Sequence, residues 1–334
     1  MIILLSPWTH MRRRDFLGVL GGATIGWPVG ALAQRKVPRI GVLTLLSSRD
    51  DDGRIAAFIS GMRDLGYVAG RNIIFDYRYA EGDNKRLEPL ALDLLKLSPN
   101  VIYAGEPSGA RTVKKAAADL PIVCPVLTDR SPDLFTTYAR PGGSVTGVAS
   151  SVENMNSKLV ELVLDVIPGT TRLGLLVNPD GANREFVTQQ TVEATRSRGM
   201  TTHIEQARAP GELEPAFNRF TEANVQAVVV PPNGMFVNHR GTIVRLALSA
   251  RLPSFFWQRQ DVAAGGFMSY GVNETEGSRR AASFVDKILK GAKPGDLPIE
   301  FPTEILLVIN LGTAKALNIA ISREMQLRAN EIVE

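Results

Sequence analysis

The residues of this chain that could do chemistry are few, and most lack the partner that chemistry needs. The three histidines, His10, His203 and His239, stand apart from any Cys, Asp or Glu at metal-ligand spacing, so no metal site is expected. Cys124 is the single cysteine and sits in the apolar run 121–127. With no disulfide partner in the chain, it reads as a buried small hydrophobe rather than a reactive thiol. Ser47 has no histidine nearby in sequence, and the chain has no Gly-x-Ser-x-Gly elbow, so serine hydrolysis is not indicated. The stretch Gly-Glu-Pro-Ser-Gly at 105–109 lacks the lysine and the spacing of a phosphate loop. Without a nucleophile, a metal cluster or a cofactor fingerprint, neither an enzyme nor a cofactor is expected. What remains is recognition: hydroxyls, amides, carboxylates and aromatic rings that hold a small molecule without transforming it.

The elements that must position such groups follow from the hydrophobic pattern. Short apolar or alternating runs at 39–46, 72–79, 101–104, 121–127 and 144–149 read as strands, separated by amphipathic helices at 55–65, 87–97 and 110–119. The pattern then restarts with a helix at 156–167. Strands follow at 172–177, 201–205, 227–230 and 254–257, with helices at 184–198, 210–222 and 238–250 between them. A short run at 267–272, a helix at 274–290, a strand at 303–309 and a helix at 313–317 close the chain. Strands alternating with helices of ten or so residues predict βαβ units and parallel sheets covered on both faces. The fold class expected is α/β, with two doubly wound parallel-sheet lobes joined by a hinge of several crossovers. Lobe 1 is expected at 36–148 plus about 272–298, and lobe 2 at 149–271 plus about 299–334.

In open parallel sheets, ligands sit beyond the carboxyl ends of the strands. That rule selects Thr44 and Ser47 after the first strand, Glu106 and Ser108 after the third, and Asp129 after the fourth. In the second lobe it selects Asn178, Asn233 with Phe236, and the loop from Trp257 to Gln260; Tyr270 lies beside a crossover. The loop 105–109 opens a helix whose free N–H groups suit a carboxylate, with Ser108 adding a hydroxyl; an ordinary strand-to-helix turn is the competing reading. Asp129 suits either a ligand ammonium or a turn. Phe236, Trp257 and Tyr270 could stack on an aromatic ligand, or be core.

The chain has 334 residues, enough for two domains, with 44% hydrophobic and 22% charged residues, the balance of a soluble globular protein. The net charge is +4, and part of it lies in Arg12, Arg13 and Arg14. A nucleic-acid surface is therefore not implied. Pairs such as Lys114–Lys115 and Arg279–Arg280 read as solvated helix faces. The sequence Arg12-Arg-Arg-Asp-Phe-Leu17 resembles a twin-arginine export signal. The stretch 18–32 carries seven glycines, prolines and threonines, too weakly hydrophobic for a membrane anchor. Ala31-Leu-Ala33 fits a signal-peptidase site, with cleavage near Ala33/Gln34 and a periplasmic mature protein. Met1 and Met11 both stand as possible starts.

Beyond these general patterns, the stretch Ala139-Arg-Pro-Gly-Gly-Ser-Val-Thr-Gly147 resembles a signature of the ABC-transporter substrate-binding proteins related to tryptophan- and tyrosine-binding receptors. So do Gly265-Gly-Phe-Met-Ser-Tyr-Gly271, the segment from Val285 to Pro294 with Asp296-Leu-Pro298, and the tail through Val308-Ile-Asn-Leu-Gly-Thr-Ala-Lys-Ala-Leu-Asn-Ile319 to Glu334. The likeness spans 37–334 and is specific in combination. It implies the type I periplasmic binding fold, a monomer with a ligand between its lobes, and delivery to an ABC permease at the inner membrane. The ligand it implies is an aromatic amino acid or a related aromatic carboxylate. Asn233 stands where the family pattern often has an acidic residue, which weakens an ammonium contact there. A periplasmic ligand sensor shares this fold and signal and is the alternative.

Overall fold

The computed structural model describes residues 37–48, 53–127, 133–150, 155–181 and 184–334. The expected export signal, the expected cleavage site near Ala33/Gln34 and Asp129 lie outside the described residues. Five strands form the first sheet: β1 (Arg39–Thr44), β2 (Ile74–Tyr79), β3 (Val101–Ala104), β4 (Ile122–Leu127) and β5 (Val145–Ala149). They are parallel and run in the order β2-β1-β3-β4-β5. Side chains alternate between faces as strand geometry demands. Ile40 and Val42 face one core with α1 (Arg54–Asp64), while Leu43 faces another with α2 (Leu87–Leu95) and α3 (Pro107–Ala116). Pro125 has no N–H for the ladder, and the β4–β5 register shifts between Cys124 and Leu127 around it.

The second sheet holds β6 (Arg172–Val177), β7 (Thr201–Gln206), β8 (Ala227–Val230), β9 (Ser254–Phe256), β10 (Met268–Val272), β11 (Ile305–Asn310) and β12 (Glu331–Val333). Its order is β12-β11-β10-β9-β8-β6-β7. Helices α4 (Met155–Val166) and α5 (Arg184–Arg196) border one core. On the other face lie α6 (Leu213–Glu222), α7 (Gly234–Asn238) and α8 (Arg240–Ser249). The short α9 (Arg259–Ala263) follows β9. The expected α/β architecture of two parallel-sheet lobes is what the chain adopts, with one departure. β11 runs antiparallel to β10, because the chain re-enters this sheet from the other lobe rather than through a local crossover.

That excursion is α10 (Glu274–Leu289). It leaves β10 through Asn273 and packs on α1, sharing a core built on Phe58, Met62, Ala281, Phe284 and Val285. Gly61 makes the close approach possible: a Cβ there would lie 2.6 Å from the Arg279 carbonyl oxygen and 2.9 Å from Ala282 Cβ. The chain also passes between sheets after Ser150 and again between Glu300 and Ile305, next to an isolated bridge pairing Val148 with Glu300. The tail adds α11 (Leu311–Ala316) and α12 (Arg323–Arg328) before β12. The strand β12 and the helix α12 have no counterpart in the sequence reading.

The recurring glycine motifs brace these passages. Gly142 N donates to Gly295 O at 3.1 Å and Thr146 Oγ1 donates to Leu297 O at 2.8 Å, so the Arg-Pro-Gly-Gly and Lys-Pro-Gly-Asp stretches fasten to each other. At Gly147 (φ 148°) a side chain would run into the Cys124 carbonyl, and at Gly271 into that of Trp257. Among the described residues, no helix is long and apolar enough to cross a membrane.

Candidate functional site

A cleft of about 650 Å³ opens where the carboxyl ends of the two sheets' strands converge, a size suited to a small molecule. On the first-sheet side, the chain leaving β3 enters α3 through Gly105 and Glu106. Glu106 is extended (φ −142°, ψ 159°) at the helix start. Its carboxylate accepts from Thr44 Oγ1 at 3.0 Å and from Leu45 N at 2.7 Å. A side chain at Gly105 would come within 2.9 Å of Thr44 Oγ1, so glycine allows the ends of β1 and β3 to meet this closely.

Arg54, buried at the start of α1, lies between two carboxylates. Its Nη1 is 3.1 Å from Glu274 Oε2 and its Nη2 is 3.8 Å from Glu106 Oε1. Glu274 opens α10 and also accepts a hydrogen bond from Gln258 Nε2 at 2.8 Å. Charge-assisted bonds of this kind are shorter and stronger than neutral ones, so the group holds the floor of the cleft in one geometry.

On the second-sheet side, Asn178 follows β6 and donates from Nδ2 to Asn233 Oδ1 at 3.2 Å. That oxygen also accepts from Met235 N at 3.0 Å and so caps α7. The Asn178 oxygen accepts from Asp180 N at 2.9 Å. Trp257 and Gln258 follow β9; the indole Nε1 and the Gln258 Oε1 are buried and make no hydrogen bond. Leu45, Leu46, Leu176, Val177 and Phe236 supply apolar lining.

Of the residues selected from sequence, Glu106, Ser108, Asn178, Asn233, Phe236 and Trp257 line the cleft. Three others do not. Thr44 lies behind Glu106 and holds it. Ser47 is buried outside the lining. Tyr270, on β10, packs against the hydrophobic core that contains Leu159 and Phe255, so strand pairing rather than the cleft claims it. The 105–109 loop carries a carboxylate of its own, Glu106, at the helix start proposed for a ligand carboxylate. Gln258, in the 257–260 loop selected from sequence, also lines the cleft, whereas Arg54 and Glu274 were not singled out. Glu274 follows β10, so the strand-end rule would have reached it, whereas Arg54 opens a helix well beyond the end of β1, where an arginine reads as solvated. Cys124 is inert: burial pushes its thiol up to about 12.

A parallel sheet and a mostly parallel one, with a ligand-sized cleft at their converging strand ends, define a two-lobed binding protein. Over residues 39–333 the chain matches the ABC transporter substrate binding protein family, and it belongs to that family. The family binds solutes and is not enzymatic. A tyrosine-binding protein of Clostridioides difficile is 22% identical over 285 residues, 85% of this chain and 82% of that one. The ABC domain in complex with L-Trp from Streptococcus pneumoniae superposes with TM-score 0.82 at 23% identity, covering 89% of this chain and 99% of that one. The ligand-free, open structure of a substrate binding protein with adhesive properties from Clostridium difficile gives TM-score 0.65 at 20% identity, covering 89% and 99%.

Proposed function

We propose that this protein is exported to the periplasm, captures an aromatic amino acid or related aromatic carboxylate by closing its cleft, and delivers it to an inner-membrane permease. The observation that carries the reading is the lining itself: an apolar wall with Phe236 and Trp257, facing polar groups that include Glu106, Glu274, Gln258, Asn178 and Asn233 and the cations Arg54, Arg111 and Arg184. An aromatic ring needs the first and a zwitterionic head group the second. The ligands named for the tyrosine-binding relative and the L-Trp complex support the same class.

Closure is supported by contacts across the cleft. Gly234 of α7 fits against the Leu45 side chain, and Gly82 after β2 lies against Asn238 and Met235. In this reading the first lobe comprises 36–148 with about 272–298, and the second 149–271 with about 299–334, the passages between them acting as the hinge. The test is mass spectrometry of the protein purified from its periplasm under native conditions. A co-purifying aromatic amino acid or aromatic acid is expected; a co-purifying sugar or peptide would refute the ligand class. Exchange of Arg13 and Arg14 for lysine is expected to leave precursor in the cytoplasm; normal periplasmic accumulation would refute the twin-arginine route.

A further inference from the structure

We infer that Gln258 is a specificity-determining residue: its amide oxygen reads a hydrogen-bond donor on the ligand, the ammonium group of an amino acid. The inference rests on the proposed aromatic ligand class and narrows it to amino acids over their deaminated counterparts.

The orientation of the Gln258 amide follows from its neighbour. The amide contacts Glu274 at 2.8 Å, and Glu274 in turn contacts the buried Arg54 guanidinium at 3.1 Å. A carboxylate paired with arginine is ionised and can only accept, so the amide must turn its NH2 toward it. Its oxygen is thereby turned away from Glu274. Gln258 is 5% exposed and lines the cleft, and that oxygen has no partner. A buried acceptor left unpaired costs about 1–3 kcal/mol, so a donor that reaches it is rewarded. Because Oε1 can only accept, the group it selects must carry hydrogens. Glu106 and Glu274 line the same cleft together with Arg54, which pairs with both, and with Lys85, Arg111 and Arg184, so the choice of an ammonium rests on the Gln258 oxygen rather than on the net charge of the wall. A carboxylate offers no hydrogen to this atom, and the ring N–H or O–H is common to both members of each ligand pair below, so the comparison isolates the ammonium.

The relay has a direction: Arg54 fixes Glu274, Glu274 fixes the amide, and the amide oxygen meets the ligand. Gln258 is the contact and Glu274 the positioning residue. Replacing Glu274 with glutamine would let either amide end face the other, so selectivity should narrow even with Gln258 intact.

The experiment is calorimetric titration of the purified protein and its variants with L-tryptophan and L-tyrosine, each paired with its deaminated form, indole-3-propionate and 3-(4-hydroxyphenyl)propionate. Wild type is expected to prefer the amino acids. Gln258→Met, close to glutamine in volume but without the oxygen, should weaken the amino acids on the order of tenfold to a hundredfold, the range of one charged hydrogen bond. The deaminated acids should change less than about threefold, a difference that a general loss of fold would not produce. Glu274→Gln should reduce the preference partway. A folded Gln258→Met protein that keeps the full preference overturns the inference, as does a wild type that binds acid and amino acid equally. A wild type that binds none of the four overturns the aromatic reading itself and this inference with it.

Discussion

At the level of single residues, the cleft is held by polar contacts in which at least one partner is charged: Thr44 and Leu45 to Glu106, Gln258 to Glu274, Arg54 to both carboxylates. Thr44→Val removes the hydroxyl that fixes Glu106 and should cost about 1–3 kcal/mol of stability, read by denaturant unfolding. Ser108, half-buried at the start of α3 and lining the cleft, offers a second test. Ser108→Tyr should weaken binding about a hundredfold, the equivalent of one charged hydrogen bond, in a protein that melts like wild type; unchanged affinity in calorimetry would move the ligand away from α3. Cys124 tests burial by pH. Its folded thiol is pushed up to about 12 by desolvation, whereas the unfolded thiol ionises near 8.5. The stability this confers is complete below the unfolded value and is lost as pH rises toward 12. Between pH 9 and 11 the melting temperature of wild type should therefore fall more steeply than that of Cys124→Ala. Most wall residues were legible from sequence because strand ends can be placed by pattern. Arg54 was not, because an arginine at a helix start looks solvated until a second helix, α10, brings Glu274 against it.

At the level of elements, the α1–α10 contact does most to join distant parts of the chain. Phe58 and Phe284 are buried in its core, each contributing about 1.5–3 kcal/mol. A side chain at Gly61 has no room, so Gly61→Leu should destabilise by about 1–3 kcal/mol or more, measured by urea unfolding; an unchanged midpoint would refute the close packing. The alternation of strands and helices was legible because the central strands, such as β1, β3, β4, β5 and β8, are buried on both faces and the long helices show one apolar face. Two elements escaped that logic. β12 is three residues long and exists because β11 offers it an edge. The six-residue helix α12 depends on the Ser322 cap, whose hydroxyl accepts from Met325 N. The glycine motifs that suggested the family serve the same scale: they fasten passages between sheets and stand apart from the cleft lining.

At the level of the whole molecule, binding and closure are one equilibrium, and a ligand shifts it only by touching both lobes. Gly234 and Gly82 let the lobes approach. Gly234→Val should hold the cleft open, lowering affinity at least tenfold on the order of 1.4 kcal/mol while leaving unfolding little changed. The repeated α/β pattern announced two lobes, but the antiparallel return through β11 depends on a pairing between residues more than thirty positions apart, which local pattern does not carry. The most direct test of the central claim is thermal unfolding of the purified protein with aromatic amino acids, aromatic acids, sugars and short peptides. At one hundred times its dissociation constant a ligand of the native state adds about 2.7 kcal/mol. At least one aromatic amino acid or acid should raise the midpoint clearly. A rise with sugars or peptides and none with any aromatic compound would contradict the account.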